Sequence, residues 1–281
     1  MSGGMQNSGD FSLDSYEQLL LLAKKKFTMI TFEEIKDQDH FCIWRHDVDF
    51  SLELAHELAQ IDARQDVKST FFINLHSDTY NALSPTGRVT MNDLIQMGHF
   101  VGLHIDASWY GGIDDEKHLE KILNEEMRQL ESAVGIVPKA FSFHNPTSEL
   151  SRFNNEQYSG LLNCYASQFF KEIKYCSDSN GYWRFESIFD VLSDEDTKKV
   201  QVLTHPEWWS ELQGKPRERL IRALVSDAIK HVVRYDAALD FYGRENQSKY
   251  KSAIANLNDT SSELFVISTF LSAYLHQPEQ N

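Results

Sequence analysis

The sequence predicts an α/β fold in which helices cover a parallel sheet, built either as an α/β barrel or as an open sheet. Five short segments rich in Phe, Ile or Val, each bounded by turn residues, predict strands. They span residues 41–48, 68–75, 99–106, 139–144 and 199–205. Helical patterns lie between them, and strands that alternate with helices form parallel sheets with right-handed crossovers.

The first helices are predicted from their apolar stripes and their end signals. A helix near Leu13–Lys26 precedes the first strand. Ser51 can cap the next helix, because its hydroxyl can accept a backbone N–H. Thr90 and Asp93 resemble the capping box that begins a third helix, and Gly98 ends that helix.

Three further helices are predicted downstream. One has an apolar stripe over residues 119–130 and ends at Gly135, ahead of Pro138. Segments 216–239 and 261–275 have the apolar faces of long helices.

Composition limits the number of domains and the class of partner. The chain has 281 residues, of which 41% are hydrophobic, enough for one large domain with a sizeable core. Residues 1–10 are rich in Gly, Ser and Asn and are predicted to be disordered, so a single domain is predicted over residues 11–281. The 27 basic and 42 acidic residues give a net charge of −15, which argues against nucleic acid, anionic membrane or a polyanionic substrate.

Hydropathy and cysteine content predict the compartment. No segment reaches the ~18–20 apolar residues of a membrane span, and no signal peptide is recognised. The three cysteines have no C-x-x-C spacing, so they indicate reduced thiols rather than disulfides or a zinc knuckle. The sequence therefore predicts a cytoplasmic protein without a membrane span.

The segment RHDVD at residues 45–49 indicates chemistry at the end of the first strand. Asp47 and Asp49 are two residues apart and therefore point to the same face. Two adjacent carboxylates repel each other unless a cation lies near them. A divalent metal held by one Asp would leave the other free to take a proton from water. The structural alternative is a helix-capping Asp together with a salt bridge to Arg45.

Three histidines lie at or beyond the ends of later predicted strands. They are His104 in GHFVGLHID, His144 in FSFHNP and His205 in VLTHPEWW. Ligand sites of barrels and open parallel sheets form at the carboxyl ends of strands. The positions therefore predict one site shared by the three histidines and the two aspartates.

These motifs, in this order, resemble those of the polysaccharide deacetylase superfamily (carbohydrate esterase family 4) over roughly residues 40 to 210. The chain is very similar to a divergent branch with the signatures RHDVD, LHxD, SFH, SDS and LTHPxWW. The resemblance implies a distorted, incomplete (β/α) barrel of about seven parallel strands. It also implies a divalent metal, with zinc as the first candidate, and a carbohydrate substrate.

The resemblance assigns roles to the matching residues. It makes Asp47 the catalytic base and Asp49 a metal ligand, although the sequence alone also allows the reverse assignment. It makes His104 a metal ligand and His205 the general acid. Asp178, from the SDS motif, is the natural partner to orient His205, and an Asx-turn is its structural alternative.

The chain departs from the common family pattern at two positions. Ser108 stands where typical members have a second metal histidine, and His144 stands near the place of an arginine. His144 is therefore our candidate for the third ligand, with Asp106 as the alternative third ligand. His99 starts its strand, at the opposite end from the site, so a core role is predicted for it.

Aromatic residues next to these motifs suggest a sugar-binding cleft, since aromatic faces pack well against sugar rings. Trp183, Trp208 and Trp209 are the predicted substrate-binding residues, with Trp208 and Trp209 as a rim pair. Trp109 and Tyr110 also lie beside a motif.

The sequence thus predicts a metal-dependent hydrolase that removes an acetyl or other N-acyl group from a sugar. A cytoplasmic location favours a precursor in surface polysaccharide or lipopolysaccharide biosynthesis. Two alternatives stay open: a non-catalytic carbohydrate-binding protein on the same fold, and a C–N hydrolase of a non-sugar amide.

Overall fold

The computed structural model describes residues 11–183, 185–211 and 214–245. The segment 1–10, predicted to be disordered, and the predicted helix at 261–275 lie outside these residues. In the described ranges, no helix has the length and the apolar content that a membrane span requires.

The described residues form nine strands and seven α-helices, with short 3-10 turns between them. The strands are β1 Thr28–Ile30, β2 Phe41–Val48, β3 Thr70–Ile73, β4 Phe100–Ile105, β5 Ala140–Phe143, β6 Gln157–Tyr158, β7 Leu161–Asn163, β8 Lys174–Ser177 and β9 Lys199–Thr204. The helices are α1 Leu13–Lys26, α2 Leu52–Arg64, α3 Pro85–Gln96, α4 Glu116–Val134, α5 Ser167–Lys171, α6 Ile188–Ser193 and α7 Pro216–Phe241.

The nine strands make one sheet in the order β6-β7-β5-β4-β3-β2-β9-β8, with β1 beside the first half of β2. Every pair is parallel except β6 with β7. The sheet curls into a half barrel, which confirms the predicted incomplete α/β barrel. It has nine strands where about seven were expected, and three of them, β1, β6 and β7, are only two or three residues long.

Strand β2 shows how alternation separates the core from the site. Cys42 and Trp44 face outward, in the apolar cluster that contains residues of α1 and α2. Phe41 and Ile43 point to the opposite face, in a cluster with Phe72 of β3. The later positions of β2 on that inner face carry polar side chains. The inner face therefore changes from apolar to charged toward the carboxyl end of β2.

Two helix starts were predicted from capping residues, and one of the predictions is wrong. Ser51 caps α2, as expected, and accepts the Leu54 N–H at 3.3 Å. Helix α3 instead begins at Pro85, where Ser84 accepts the Gly87 N–H at 3.0 Å. Thr90 lies inside that helix, because a Ser-Pro pair is the stronger start signal: the missing proline N–H needs no partner in the first turn.

The predicted ends of α3 and α4 are confirmed. Gly98 and Gly135 follow their helices with φ of 93° and 77°, a conformation that a residue without Cβ adopts readily. The predicted helix at 216–239 is α7. The chain divides into two compact units after Leu220, and a single domain over residues 11–281 stays a prediction.

We expect Gly102→Ala to lower the free energy of unfolding by roughly 1–3 kcal/mol, the usual cost of overpacking a core. A Cβ at Gly102, in the middle of β4, would lie 2.5 Å from the Phe72 ring and 3.0 Å from the Ala140 carbonyl oxygen. Phe72 is fully buried and cannot move away without displacing its neighbours. Urea denaturation followed by circular dichroism measures the change. An unchanged midpoint would mean that the Phe72 ring yields without cost.

Candidate active site

Three side chains from different strands converge at the carboxyl end of the sheet. Asp49 follows β2, His104 lies in β4 and His144 follows β5. Asp49 Oδ1 lies 3.0 Å from His104 Nε2 and 3.0 Å from His144 Nδ1, and the two nitrogens are 3.3 Å apart. In a tetrahedral zinc site with bonds of about 2.0–2.1 Å, two ligand atoms lie about 3.3–3.4 Å apart. The three atoms therefore have a spacing that suits a metal ion.

The charges of this triad also suit a cation. Burial alone would raise the pKa of Asp49, but hydrogen bonds with His104 and His144, together with the charges of His104 and His205, hold that pKa well below its ordinary value. Burial alone would lower the pKa of His144, and the hydrogen bond and charge of Asp49 outweigh it, so this pKa is raised. A proton or a metal ion bound between the carboxylate and the two imidazoles is therefore favourable.

Ser142, on β5, orients the His104 ring. Its hydroxyl lies 2.6 Å from His104 Nδ1 and donates to Asp47 Oδ1 at 3.4 Å. Since that hydrogen is directed at Asp47, the serine oxygen can accept from Nδ1–H of the imidazole. This leaves Nε2 of His104 with its lone pair toward Asp49 and His144, as a metal ligand requires.

His144 is held by its neighbour in the chain. The Asn145 side-chain amide lies 2.8 Å from His144 Nε2, on the side of the ring away from Asp49. A rotation of that amide by half a turn exchanges its nitrogen and oxygen, so it can donate to Nε2 or accept from Nε2–H. With the amide oxygen on Nε2–H, Nδ1 is free to bind a metal.

Asp47 occupies a different position from Asp49. Its side chain is buried, its Oδ2 lies 3.2 Å from Nη2 of Arg45, and it is 3.8 Å from His104 Nδ1. Arg45 is itself fully buried, between the rings of Phe72 and Tyr165, each 5.4 Å from the guanidinium carbon. The structural alternative predicted a salt bridge to Arg45, which is present, and an aspartate as helix cap, whose place is taken by a serine. A fixed cation therefore faces Asp47 inside the half barrel.

Asp178 and His205 form a buried pair on the other side of the site. His205 Nδ1 lies 2.6 Å from Asp178 Oδ1, and Asp178 Oδ2 accepts the Trp209 indole N–H at 2.7 Å. The backbone N–H of His205 also donates to this carboxylate. The Asp178 side chain makes no capping bond to the turn that follows, so the partner role fits better than an Asx-turn.

The same contacts explain why the His205 imidazole holds its proton. Burial alone would lower its pKa, but the charge and hydrogen bond of Asp178, with smaller contributions from Asp49 and Glu207, raise the pKa to about 10. A protonated Nε2 at neutral pH is what a general acid requires.

We expect Asp178→Asn to move the alkaline limb of the kcat/KM profile to lower pH by about one to three pH units. A general acid is active below its pKa, and activity is lost as pH rises through that pKa. Loss of the Asp178 charge removes the main support of the raised pKa of His205. Rates measured across the pH range test this shift.

Asp114→Asn is the matched control for that experiment. It removes the carboxylate of an exposed pair with His118, 3.5 Å apart, without a contact to the site. If the alkaline limb of the kcat/KM profile does not move in Asp178→Asn, or is still present in His205→Ala, the general acid is a residue other than His205.

All five predicted residues of the site line one cavity of about 480 Å³: Asp47, Asp49, His104, His144 and His205. A second cavity of about 200 Å³ shares the wall residues Phe143, Pro146 and Tyr165 with it. The second cavity therefore lies next to the first at the end of β5, and the first alone has room for a ligand larger than an acetyl group.

The predicted aromatic rim is only partly present. Trp208 lines the cavity, whereas Trp209 is 0% exposed and its indole N–H is bonded to Asp178. Trp209 therefore supports the Asp178 carboxylate from the core and cannot form a rim. Trp183 is half-buried and stacks on Phe11, with ring centroids 4.8 Å apart.

The remaining candidates lie outside the triad. Asp106, the alternative third ligand, accepts the N–H and the hydroxyl of Ser108 at 2.9 and 2.6 Å, within its own loop. His99 is buried in the core, where Nε2–H can donate to the Ala59 carbonyl oxygen at 2.9 Å, as its place at the start of β4 predicted.

Solved structures of family 4 carbohydrate esterases are similar to this chain. A chitin deacetylase from Colletotrichum lindemuthianum is 19% identical, with 68% of this chain and 83% of that chain covered and a TM-score of 0.38. An esterase of the family from Streptococcus mutans is 12% identical, with 79% and 92% covered and a TM-score of 0.44. A pseudoenzyme of the family from Bacillus anthracis is 11% identical, with 69% and 62% covered and a TM-score of 0.37.

No family model matches the chain, and no curated protein matches it. At 11–19% identity, the likeness assigns neither activity nor substrate to this protein. Its function has to follow from the residues of its own site.

Proposed function

We propose that this protein is a metal-dependent deacetylase that removes an N-acetyl or other N-acyl group from a sugar. One observation carries the proposal: the ligand atoms of Asp49, His104 and His144 converge, and they line the same cavity as Asp47 and His205. A metal position, a buried carboxylate and a protonated imidazole are the three parts of a metal-assisted hydrolysis of an amide, as activator of water, base and acid.

The donor set fits zinc. Two imidazole nitrogens and one carboxylate oxygen are typical ligands of catalytic zinc, which keeps a fourth position for water or substrate. When bound, zinc would polarise the amide carbonyl and lower the pKa of a bound water. Asp49, rather than Asp47, holds the metal in this proposal, because its oxygen is the one in contact with both histidines.

The protein's own residues then handle two protons. Asp47 accepts the proton of the attacking water, while Arg45 and Ser142 keep its carboxylate in place. His205 donates a proton from Nε2 to the nitrogen that leaves, and Asp178 holds its Nδ1–H. The two groups line one cavity, so both can act on the same amide.

The substrate that fits is a neutral or amine-bearing sugar. The acidic groups of the cavity and the net charge of −15 disfavour a polyanion. We propose a precursor of surface polysaccharide or lipopolysaccharide biosynthesis, processed in the cytoplasm. Cys42, Cys164 and Cys176 are buried and free of disulfides, which supports that compartment.

The test is the metal content of the purified protein together with acetate release from nucleotide-linked and lipid-linked N-acetylhexosamines. We expect bound zinc, and hydrolysis that a chelator abolishes and added zinc restores. Sugar binding without turnover, unaffected by chelators, would instead identify a non-catalytic binding protein. Hydrolysis of small amides in preference to sugars would identify a C–N hydrolase of another substrate.

A further inference from the structure

Trp109 is an exposed aromatic residue with a fixed orientation. Its side chain is 61% exposed, yet one face of the indole lies flat on the imidazole of His76. The ring centroids are 4.4 Å apart and the planes differ by 5°. One face of the indole is therefore covered, and the other is turned to solvent as a flat apolar surface.

His76, below Trp109, is anchored to the core. Its Nε2 lies 3.2 Å from the Tyr110 hydroxyl, which donates to Oε1 of Glu126 at 2.9 Å. Since the Tyr110 hydrogen is directed at Glu126, the hydroxyl oxygen can accept from Nε2–H of His76. Glu126 is fully buried in α4. The indole therefore packs on the imidazole of His76, and the hydrogen bonds of Tyr110 connect that imidazole to the buried Glu126 of α4.

This platform of Trp109 and His76 lies on the same edge of the sheet as the proposed active site. His76 follows β3 and Trp109 follows β4, so both lie at the carboxyl edge of the sheet, as the metal triad does. Near His76, Ser77 donates to the backbone carbonyl oxygen of Asp49 at 3.1 Å, and Thr79 donates to that of Phe50 at 2.9 Å. The platform is nevertheless outside the cavity, since neither ring lines it.

We propose that the exposed face of Trp109 binds a second sugar ring of the substrate, next to the ring whose N-acyl group lies at the triad. The substrate is then a glycan of at least two sugar rings, a conclusion that rests on the proposed function. A flat, immobilised indole suits this task, because the apolar C–H face of a sugar can pack on it without loss of side-chain freedom. The cavity of about 480 Å³ has room for the sugar ring that carries the acyl group, so a ring packed on Trp109, outside that cavity, is a second one.

Hydrolysis and binding of a series of lengths test the inference. The probes are N-acetylglucosamine, its β-1,4-linked dimer and its trimer, each measured for kcat/KM and by calorimetric titration. For the wild-type protein we expect tighter binding and higher kcat/KM for the dimer than for the monomer. Trp109→Ala should reduce the ratio of dimer to monomer by roughly 2- to 10-fold, and Trp109→Phe should restore much of it, since a ring remains.

Phe189→Ala is the matched control, because Phe189 is an exposed aromatic on α6 that lines no part of the cavity. We expect its ratio of dimer to monomer to equal that of the wild type. An equal ratio in Trp109→Ala overturns the inference, as does the absence of any length preference or of any binding by the wild type. Length-dependent binding that Trp109→Ala weakens, without hydrolysis of any probe, supports the platform and contradicts the deacetylase proposal.

Discussion

His144→Ala should weaken zinc binding by more than ~100-fold and abolish hydrolysis, because it removes one of three protein ligands. A residue that merely orients a ligand would cost only ~10–100-fold in affinity, with the metal still retained at high concentration. His144 Nδ1 lies 3.0 Å from Asp49 Oδ1 and 3.3 Å from His104 Nε2, which is the place of a ligand rather than of a supporting group. Calorimetric titration of the metal-free variant with Zn²⁺ separates the two cases.

Ser108→Ala is the control for this variant. Ser108 stands where a second metal histidine is expected, but its hydroxyl is exposed and donates to Asp106. We therefore expect wild-type affinity for zinc and wild-type turnover from it. Full-strength zinc binding by His144→Ala would move the third ligand to Asp106, and circular dichroism of both variants would exclude an unfolded protein as the cause of a loss.

The elements predicted best from the sequence are those that bury a long apolar pattern between clear end signals. Helix α1 and strand β2 begin and end at the predicted residues. The short strands β6 and β7 were not predicted, because two or three residues show no alternation; β6 pairs with its neighbour β7, and β7 joins the sheet through β5. The start of α3 was misplaced because the signal at Thr90 and Asp93 is also compatible with a helix interior.

The sequence could predict those residues of the site whose position depends only on where a strand ends. The sequence placed Asp49, His104 and His144 at strand ends, and the parallel sheet brings these ends together. It did not predict that Ser142 orients His104, since a single serine between two phenylalanines in a strand resembles any other small core residue. Nor did it predict the burial of Trp209, whose indole N–H has a buried carboxylate as its partner.

Asp47→Asn should lower turnover by ~10²–10⁴-fold, the usual contribution of a positioned general base, with zinc binding largely retained. The amide keeps the shape of the carboxylate and can still accept a hydrogen bond, but it cannot take a proton from water. Asp49→Asn is the matched variant, because it makes the same change two residues further along the chain. It should instead lose zinc affinity, since Asp49 Oδ1 is the oxygen between the two histidines. The reverse pattern would exchange the two roles, and near-normal turnover in Asp47→Asn would place the base elsewhere.

In Asp47→Asn, a loss of folding stability has to be separated from the expected loss of turnover. Asp47 is the ion-pair partner of Arg45, at 3.2 Å, and both side chains are almost fully buried. Removal of one partner of a buried pair costs about 3–5 kcal/mol, because the remaining charge is left without compensation. Arg45→Met with Asp47→Asn removes that charge, so we expect the double variant to be more stable to urea than Asp47→Asn alone. Its turnover should stay as low as that of the single variant. A recovery of turnover together with stability would mean that Asp47 acts by holding the fold and not as the base.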